Sequence, residues 1–155
     1  LEVPLDLILW RHAEAVDGAP DHARKLTARG EKQAEKMAAF LRQHLSGKVT
    51  ILVSPATRTQ QTAAAYSEHF TLAHGIAPGA SAQALLQTAG WPDADGVVLV
   101  VGHQPTLGAV AAQLLGCEQD SLGIKKGALW WFSRREYGEG MAQTLLRLVI
   151  TPDLL

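Results

Sequence analysis

The chain is short of cysteine, of charge and of long apolar runs, and each shortage excludes something. One cysteine in 155 residues, Cys117, permits no internal disulfide and no cysteine-based zinc site, and fits a reducing compartment. Cys117 follows the end of a helical pattern, where a small buried residue is expected. Fourteen Lys and Arg face fifteen Asp and Glu, a formal net charge of −1, so no global basic field points to nucleic acid. No apolar run reaches the roughly 18 residues of a membrane-spanning helix. The amino-terminal stretch lacks the basic-then-apolar pattern of a signal peptide. The expectation is a cytoplasmic protein with neither membrane nor nucleic acid as partner. His22, His44, His69 and His74 show no metal-ligand spacing and read as solvated, so neither metal nor cofactor is expected. Charged residues make up only 19% of the chain, but apolar residues make up 47%, which excludes wholesale disorder and leaves one domain over 1–155 with a real core.

What is present is a repeated event. Leu7-Ile-Leu-Trp10 runs straight into Arg11-His12, with no turn residue between. Val49-Thr-Ile-Leu-Val53 runs into Ser54-Pro-Ala-Thr-Arg58, and Val97-Val-Leu-Val-Val101 into Gly102-His103-Gln-Pro105. Short apolar runs bounded by turn chemistry predict strands at 5–10, 49–53 and 97–101, covered on both faces as in a parallel sheet. Between them, Thr27 is a candidate N-cap for a helix whose Ala34, Ala38, Leu41 and Leu45 form one apolar stripe, stopped by Ser46-Gly-Lys48. Gly30 is tolerable in that helix's first turn. A second helix is predicted from near 56 to about Phe70, burying Ala63, Ala64, Tyr66 and Phe70. Residues 71–96 read as a long loop with one short helix at 81–88. A further helix runs from Pro105 through Leu107, Val110 and Leu114 to Gly116. Ala128–Phe132 and Ala142–Ile150, parted by the turn Tyr137–Gly140, predict an antiparallel pair in which one of Trp130 and Trp131 is core and the other semi-exposed. The fold class is therefore α/β: three layers, a mostly parallel sheet flanked by helices, and an antiparallel carboxy-terminal strand pair.

In such sheets ligands bind beyond the carboxyl ends of the strands. Arg11, His12, Arg58 and His103 all fall there and make one candidate anion site. A phosphoryl group in transfer spreads charge over three oxygens, which two guanidiniums and an imidazolium suit. Helix starts after Ser54 and Gly102 would add backbone N–H groups. No Ser or Cys stands beside an obvious base, whereas His12 sits among cations that favour its neutral form. A neutral imidazole can attack phosphorus and carry the phosphoryl group as phosphohistidine.

Arg11-His12-Ala13 resembles the Arg-His-Gly signature of the histidine phosphatase superfamily, the phosphoglycerate-mutase-like fold. Ser54-Pro-Ala-Thr-Arg58-Thr-Gln-Gln-Thr62 is similar to its second motif, and Gly102-His103-Gln-Pro105 to its third. Arg24-Lys-Leu-Thr27-x-x-Gly30 resembles an element frequent in the small SixA-type phosphohistidine phosphatases. The resemblance implies a metal-independent phosphatase in which His12 accepts the phosphoryl group while Arg11, Arg58 and His103 hold it. Ala13 in place of glycine is harmless if its φ is negative.

Larger members carry a carboxylate proton donor between the second and third motifs. Here Leu85, Leu86 and Gln87 occupy the expected place, and only Asp93 and Asp95 are near. An alkoxide leaving group needs a proton donor, but imidazole, with a reference pKa of about 6.5, needs less help. The first expectation is thus hydrolysis of protein phosphohistidine, on a partner such as a phosphorelay component. A second keeps the chemistry on a small phosphorylated metabolite, with Glu14 or a loop aspartate (Asp17 or Asp21) as acid. Arg24 would contact a protein substrate, orient the loop or form a salt bridge at the helix start. A non-catalytic phosphate-binding module is a third reading, against which His12 itself argues: holding phosphate needs cations, not a nucleophile. No glycine-rich loop follows the first strand, which disfavours a nucleotide-binding domain.

Overall fold

A computed structural model describes residues 4–155. Among them the sheet has six strands: β1 (Leu5–Arg11), β2 (Val49–Val53), β3 (Thr71–Leu72), β4 (Gly96–Gly102), β5 (Leu129–Glu136) and β6 (Ala142–Ile150). Their order is β3-β2-β4-β1-β5-β6. The first four of that row run parallel, and β5 and β6 are antiparallel to their neighbours. The helices are α1 (Ala28–His44), α2 (Thr57–Ala64), α3 (Ala82–Ala89) and α4 (Thr106–Leu115). None is long and apolar enough to cross a membrane.

Strand alternation divides the core in two. Leu5, Leu7 and Leu9 of β1 face one side with Val98, Val100 and Phe132, where Leu85, Leu86 and Ala89 of α3 and Leu107, Val110 and Ala111 of α4 cover them. Ile8 and Trp10 face the other side with Leu99, Val101, Ile51 and Val53, under Ala34, Met37, Ala38 and Leu41 of α1 and Ala63 of α2. Both faces of the central strands are therefore dry, which is why their sequences read as unbroken apolar runs.

Four expectations change. The helix predicted to reach Phe70 stops at Ala64, and Ala64 is exposed. Continuing it to Phe70 would carry the chain about 9 Å farther along the helix axis, whereas the chain turns so that Thr71 pairs with Leu52 and begins β3. The bend instead packs Tyr66 and Phe70 onto the α1–α2 core. Residues 71–96 hold β3 as well as the expected short helix, and are not one loop. Leu45 is not a buried member of the α1 stripe but half-buried past the helix end; Met37 takes its place in the core. Cys117 is exposed rather than buried, because α4 ends at Leu115 and Gly116 turns the chain outward with φ +68°. The tryptophans divide as expected, Trp131 buried and Trp130 half-buried.

Candidate functional site

Parallel register brings three strand exits to one level. Arg11 pairs with Gly102 across β1 and β4, and Val53 with Val101 across β2 and β4. The next residues continue the ladder: His12 N–H donates to Gly102 O at 3.1 Å and Ser54 N–H to Val101 O at 3.1 Å. His12, Ser54 and His103 thus leave the sheet side by side. Arg58, in the first turn of α2, leans over them. His12, Arg58 and His103 are buried at 6%, 4% and 4% exposure, so charges and lone pairs there act in a medium of low dielectric.

The hydrogen bonds assign the tautomers. His12 Nδ1 lies 2.8 Å from Ala13 O. A carbonyl only accepts, so Nδ1 carries the proton and Nε2 keeps its lone pair. Arg58 Nη2, which only donates, lies 3.3 Å from His103 Nδ1. His103 Nδ1 is therefore the acceptor, and Nε2–H donates to Ser54 Oγ at 2.7 Å. Burial, and secondarily Arg58, push His12 down to about 4, opposed by its bond to Ala13. The same two causes push His103 down to about 3. Both rings are neutral at pH 7. For His103 this departs from the imidazolium expected above; an incoming phosphoryl dianion would favour its protonation. The two rings are tilted at 53° with centroids 5.4 Å apart. Arg11 Nη1 donates to Ile124 O at 2.7 Å, and burial first, then Arg58, holds its guanidinium below the usual range. Among the described residues the buried Nε atoms of Arg11 and Arg58 have no partner.

The supporting residues come from the same motifs. Thr62 Oγ1 accepts from Ala13 N at 3.0 Å and donates to Arg58 O at 2.7 Å, tying α2 to the residue after His12. Thr59 Oγ1 sits 2.8 Å from Ser54 O, closing the strand-to-helix turn. Ala13 is fully buried and lacks a positive φ, so its methyl group is accommodated. Gln104 brackets the start of α4, accepting from Gly108 N and donating to Leu122 O. The Thr27-x-x-Gly30 element is a clamp on the chain after His12. Thr27 N–H donates to Glu14 O at 3.0 Å, Thr27 Oγ1 donates to Glu14 Oε2 at 2.7 Å and also accepts from Gly30 N, and a Cβ on Gly30 would stand 2.0 Å from Glu14 O.

The remaining candidates are dispersed. Glu14 bonds Thr27 and lies 3.9 Å from Arg29 Nη1. Arg24 orients the loop, donating to Asp21 Oδ1 at 3.0 Å and to Val16 O at 3.1 Å. Leu85 and Leu86 are core residues, Asp93 and Asp95 are exposed, and so is Asp17. His22, His44, His69 and His74 are exposed as expected. Two partners were not read from the sequence. Ser54 bonds His103, a contact that the Ser-Pro element signals only through its place at a strand end. Asp21, weighed only as an acid, instead offers Arg58 both its backbone O at 3.0 Å and its Oδ2 at 3.1 Å; nothing in the loop's composition marks that contact.

Comparison with known proteins bears on the family and the fold. The family model of the histidine phosphatase superfamily (branch 1) matches residues 7–81. A Haemophilus influenzae protein described as a phosphohistidine phosphatase SixA homolog is 35% identical over 128 residues, covering 72% of this chain and 78% of its own. A structure from Nakamurella multipartitia assigned to phosphohistidine phosphatase SixA superposes with a TM-score of 0.78 at 28% identity, covering 96% of each chain. The protein histidine phosphatase SixA complexed with tungstate shares the fold, with a TM-score of 0.73 at 22% identity and 96% and 98% of the two chains covered.

Proposed function

This chain belongs to the histidine phosphatase superfamily as a SixA-like phosphatase, and from that premise we propose that it removes phosphate from protein phosphohistidine through a phosphoenzyme intermediate on His12. The supporting observation is the His12 ring: Nδ1–H is anchored to Ala13 O, and Nε2 bears a lone pair within a cluster of Arg11, Arg58 and His103. His12 Nε2 attacks phosphorus and the P–N bond to the substrate imidazole breaks. The electron pair goes to the departing nitrogen, which takes a proton from solvent. Water then attacks phospho-His12, the second P–N bond breaks, and the pair returns to Nε2 with release of inorganic phosphate. Arg11, Arg58 and His103 carry the charge on the equatorial oxygens, with His103 gaining its proton as the dianion arrives.

The substrate class follows from what the nearby carboxylates are doing. Glu14 is bound to Thr27 and Asp21 to Arg58 and Arg24, so each serves the framework. A reaction without a carboxylic proton donor suits imidazole better than an alkoxide as leaving group. We read residues 1–155 as one domain, since both cores share one sheet. The exposed free Cys117 suits a reducing compartment, and the cytoplasm is the proposed location, with a phosphorelay component as partner.

The test sets a phosphohistidine peptide against a sugar phosphate, each with and without chelator, and maps the label left by a phosphorylated donor. The expected result is faster turnover of the phosphohistidine peptide, indifference to chelator, and an acid-labile label on His12. Faster turnover of the monoester moves the substrate to small phosphorylated metabolites. Turnover surviving His12→Ala ends the covalent mechanism.

A further inference from the structure

A concavity of about 730 Å³ lies not over His12 but beside Arg11, between α1, the 125–126 loop and the carboxy-terminal turn. Arg29, Lys32 and Lys36 project into it from α1, and Lys125 and Lys126 face them from the loop that enters β5. With Arg11 these make six cations against two carboxylates, Glu14 and Asp153, a local balance of +4 in a chain of net charge −1. All five of these Lys and Arg side chains belong to exposed residues. Among the described residues none of the four lysines has a carboxylate within 4.0 Å, and Arg29 reaches Glu14 only at 3.9 Å. Clustered like charges repel and lower the stability of the compact state. Six of the chain's fourteen cations gathered in one groove therefore call for an anionic partner.

The size of the stripe sets the kind of anion. Residues 29, 32 and 36 follow one helix face over about 10 Å. A single phosphoryl group held at Arg11 and His12 would leave most of that row unpaired. A long nucleic-acid backbone fits poorly too, because the positive field ends within the groove and Glu31 and Glu35 are exposed on the same helix. A protein surface bearing a few carboxylates matches both the length and the limits. Arg11 lines this groove and belongs to the proposed phosphate site, so a partner seated here would present an adjoining phosphohistidine to His12. We propose that the groove docks an acidic patch of the phosphorylated protein substrate, with several Asp or Glu side chains next to the phosphohistidine. The proposal rests on the protein-phosphohistidine reading above, and adds what selects the partner.

The test uses two peptides that differ only in four residues flanking the histidine, glutamate in one and glutamine in the other. One arm measures binding of the unphosphorylated, fluorescein-labelled peptides by anisotropy; the other measures turnover of the phosphorylated forms. The wild-type chain is compared with the triple variant Lys32→Glu, Lys36→Glu, Lys126→Glu. At about 50 mM salt the expected preference for the acidic peptide is about tenfold or more in Kd and KM, and it fades as salt is raised. In the triple variant that preference disappears, while kcat on the glutamine peptide stays within about twofold, because no catalytic residue is altered. An unchanged preference in the triple variant overturns the proposal. So does a single-stranded oligonucleotide that displaces the acidic peptide at equal charge concentration. The binding arm needs no turnover, which separates two failures: acidic-peptide binding without phosphohistidine hydrolysis overturns the activity and keeps the groove, whereas fast hydrolysis of both peptides alike does the reverse.

Discussion

Gly30→Ala puts the tertiary reading against the local one. Gly30 lies in the first turn of α1, where alanine is the better helix former by about 1 kcal/mol, so sequence propensity expects a more stable protein. The structure expects the opposite. An added Cβ would lie 2.0 Å from Glu14 O, 2.9 Å from Glu14 C and 3.1 Å from Glu14 N, all backbone atoms that no rotamer change can move aside. Restoring contact distance takes a shift of about 1 Å, which breaks the Thr27 N–Glu14 O bond at a cost of about 1 kcal/mol. Overpacking adds about 1–3 kcal/mol. Set against the helix gain, the net loss is about 1–3 kcal/mol, or roughly 3–10 °C in Tm for a chain of this size. Glu14 is two residues from His12, so the shift should also reach the proposed nucleophile and lower kcat/KM by about tenfold or more. Thermal unfolding and single-turnover kinetics read the two effects, with Gly123→Ala as control, since a Cβ there meets nothing within 4 Å. A Gly30→Ala protein with raised Tm and intact kcat/KM would refute the clamp.

Arg58→Ala should lower the rate about a hundredfold or more, as loss of other charge-stabilising donors does, and a loss under threefold places Arg58 outside the phosphate site. Stability should fall in acid. The folded pKa values of His12 and His103, about 4 and about 3, lie below the unfolded value, so the unfolded chain binds the extra protons. Stability is complete above pH 6.5 or so and by pH 4 has lost about 3 kcal/mol per imidazole. Urea titrations at several pH values check this; His103→Gln should flatten the slope, and an unchanged slope contradicts the buried neutral ring. Asp21→Asn removes the carboxylate that competes with phosphate for Arg58 while leaving the backbone carbonyl in place. Product inhibition by inorganic phosphate should therefore tighten about threefold, and weaker inhibition would mean that Asp21 aims Arg58 rather than occupying it.

Much of the site was legible because it hangs on local signals. Arg11, His12 and His103 each come within two residues after an apolar run, and a buried parallel strand leaves no other place for such residues than its end. Thr27 was legible as a cap for the same local reason, and its bond to Gly30 N confirms it. The end of α2 was not legible, since Ala63, Ala64 and Ala65 suit a continued helix as well as a bend. β3 escaped because two residues carry no periodicity. Gly30 was read as a weak helix residue, when its lack of a side chain makes room for Glu14 O, sixteen positions away (30 − 14), beside the contact that Thr27 begins.

By itself the sequence determined the apolar strands, their charged exits and the family whose motifs they carry. Each of these depends on residues within a few positions of one another, where periodicity and steric preference act. Tertiary structure alone decided that His103 is neutral between Arg58 and Ser54, that Asp21 rests on Arg58, and that lysines from α1 and the 125–126 loop share one groove beside Arg11. Those are facts of distance between residues tens of positions apart, and proton placement and charge clustering follow from distance and burial.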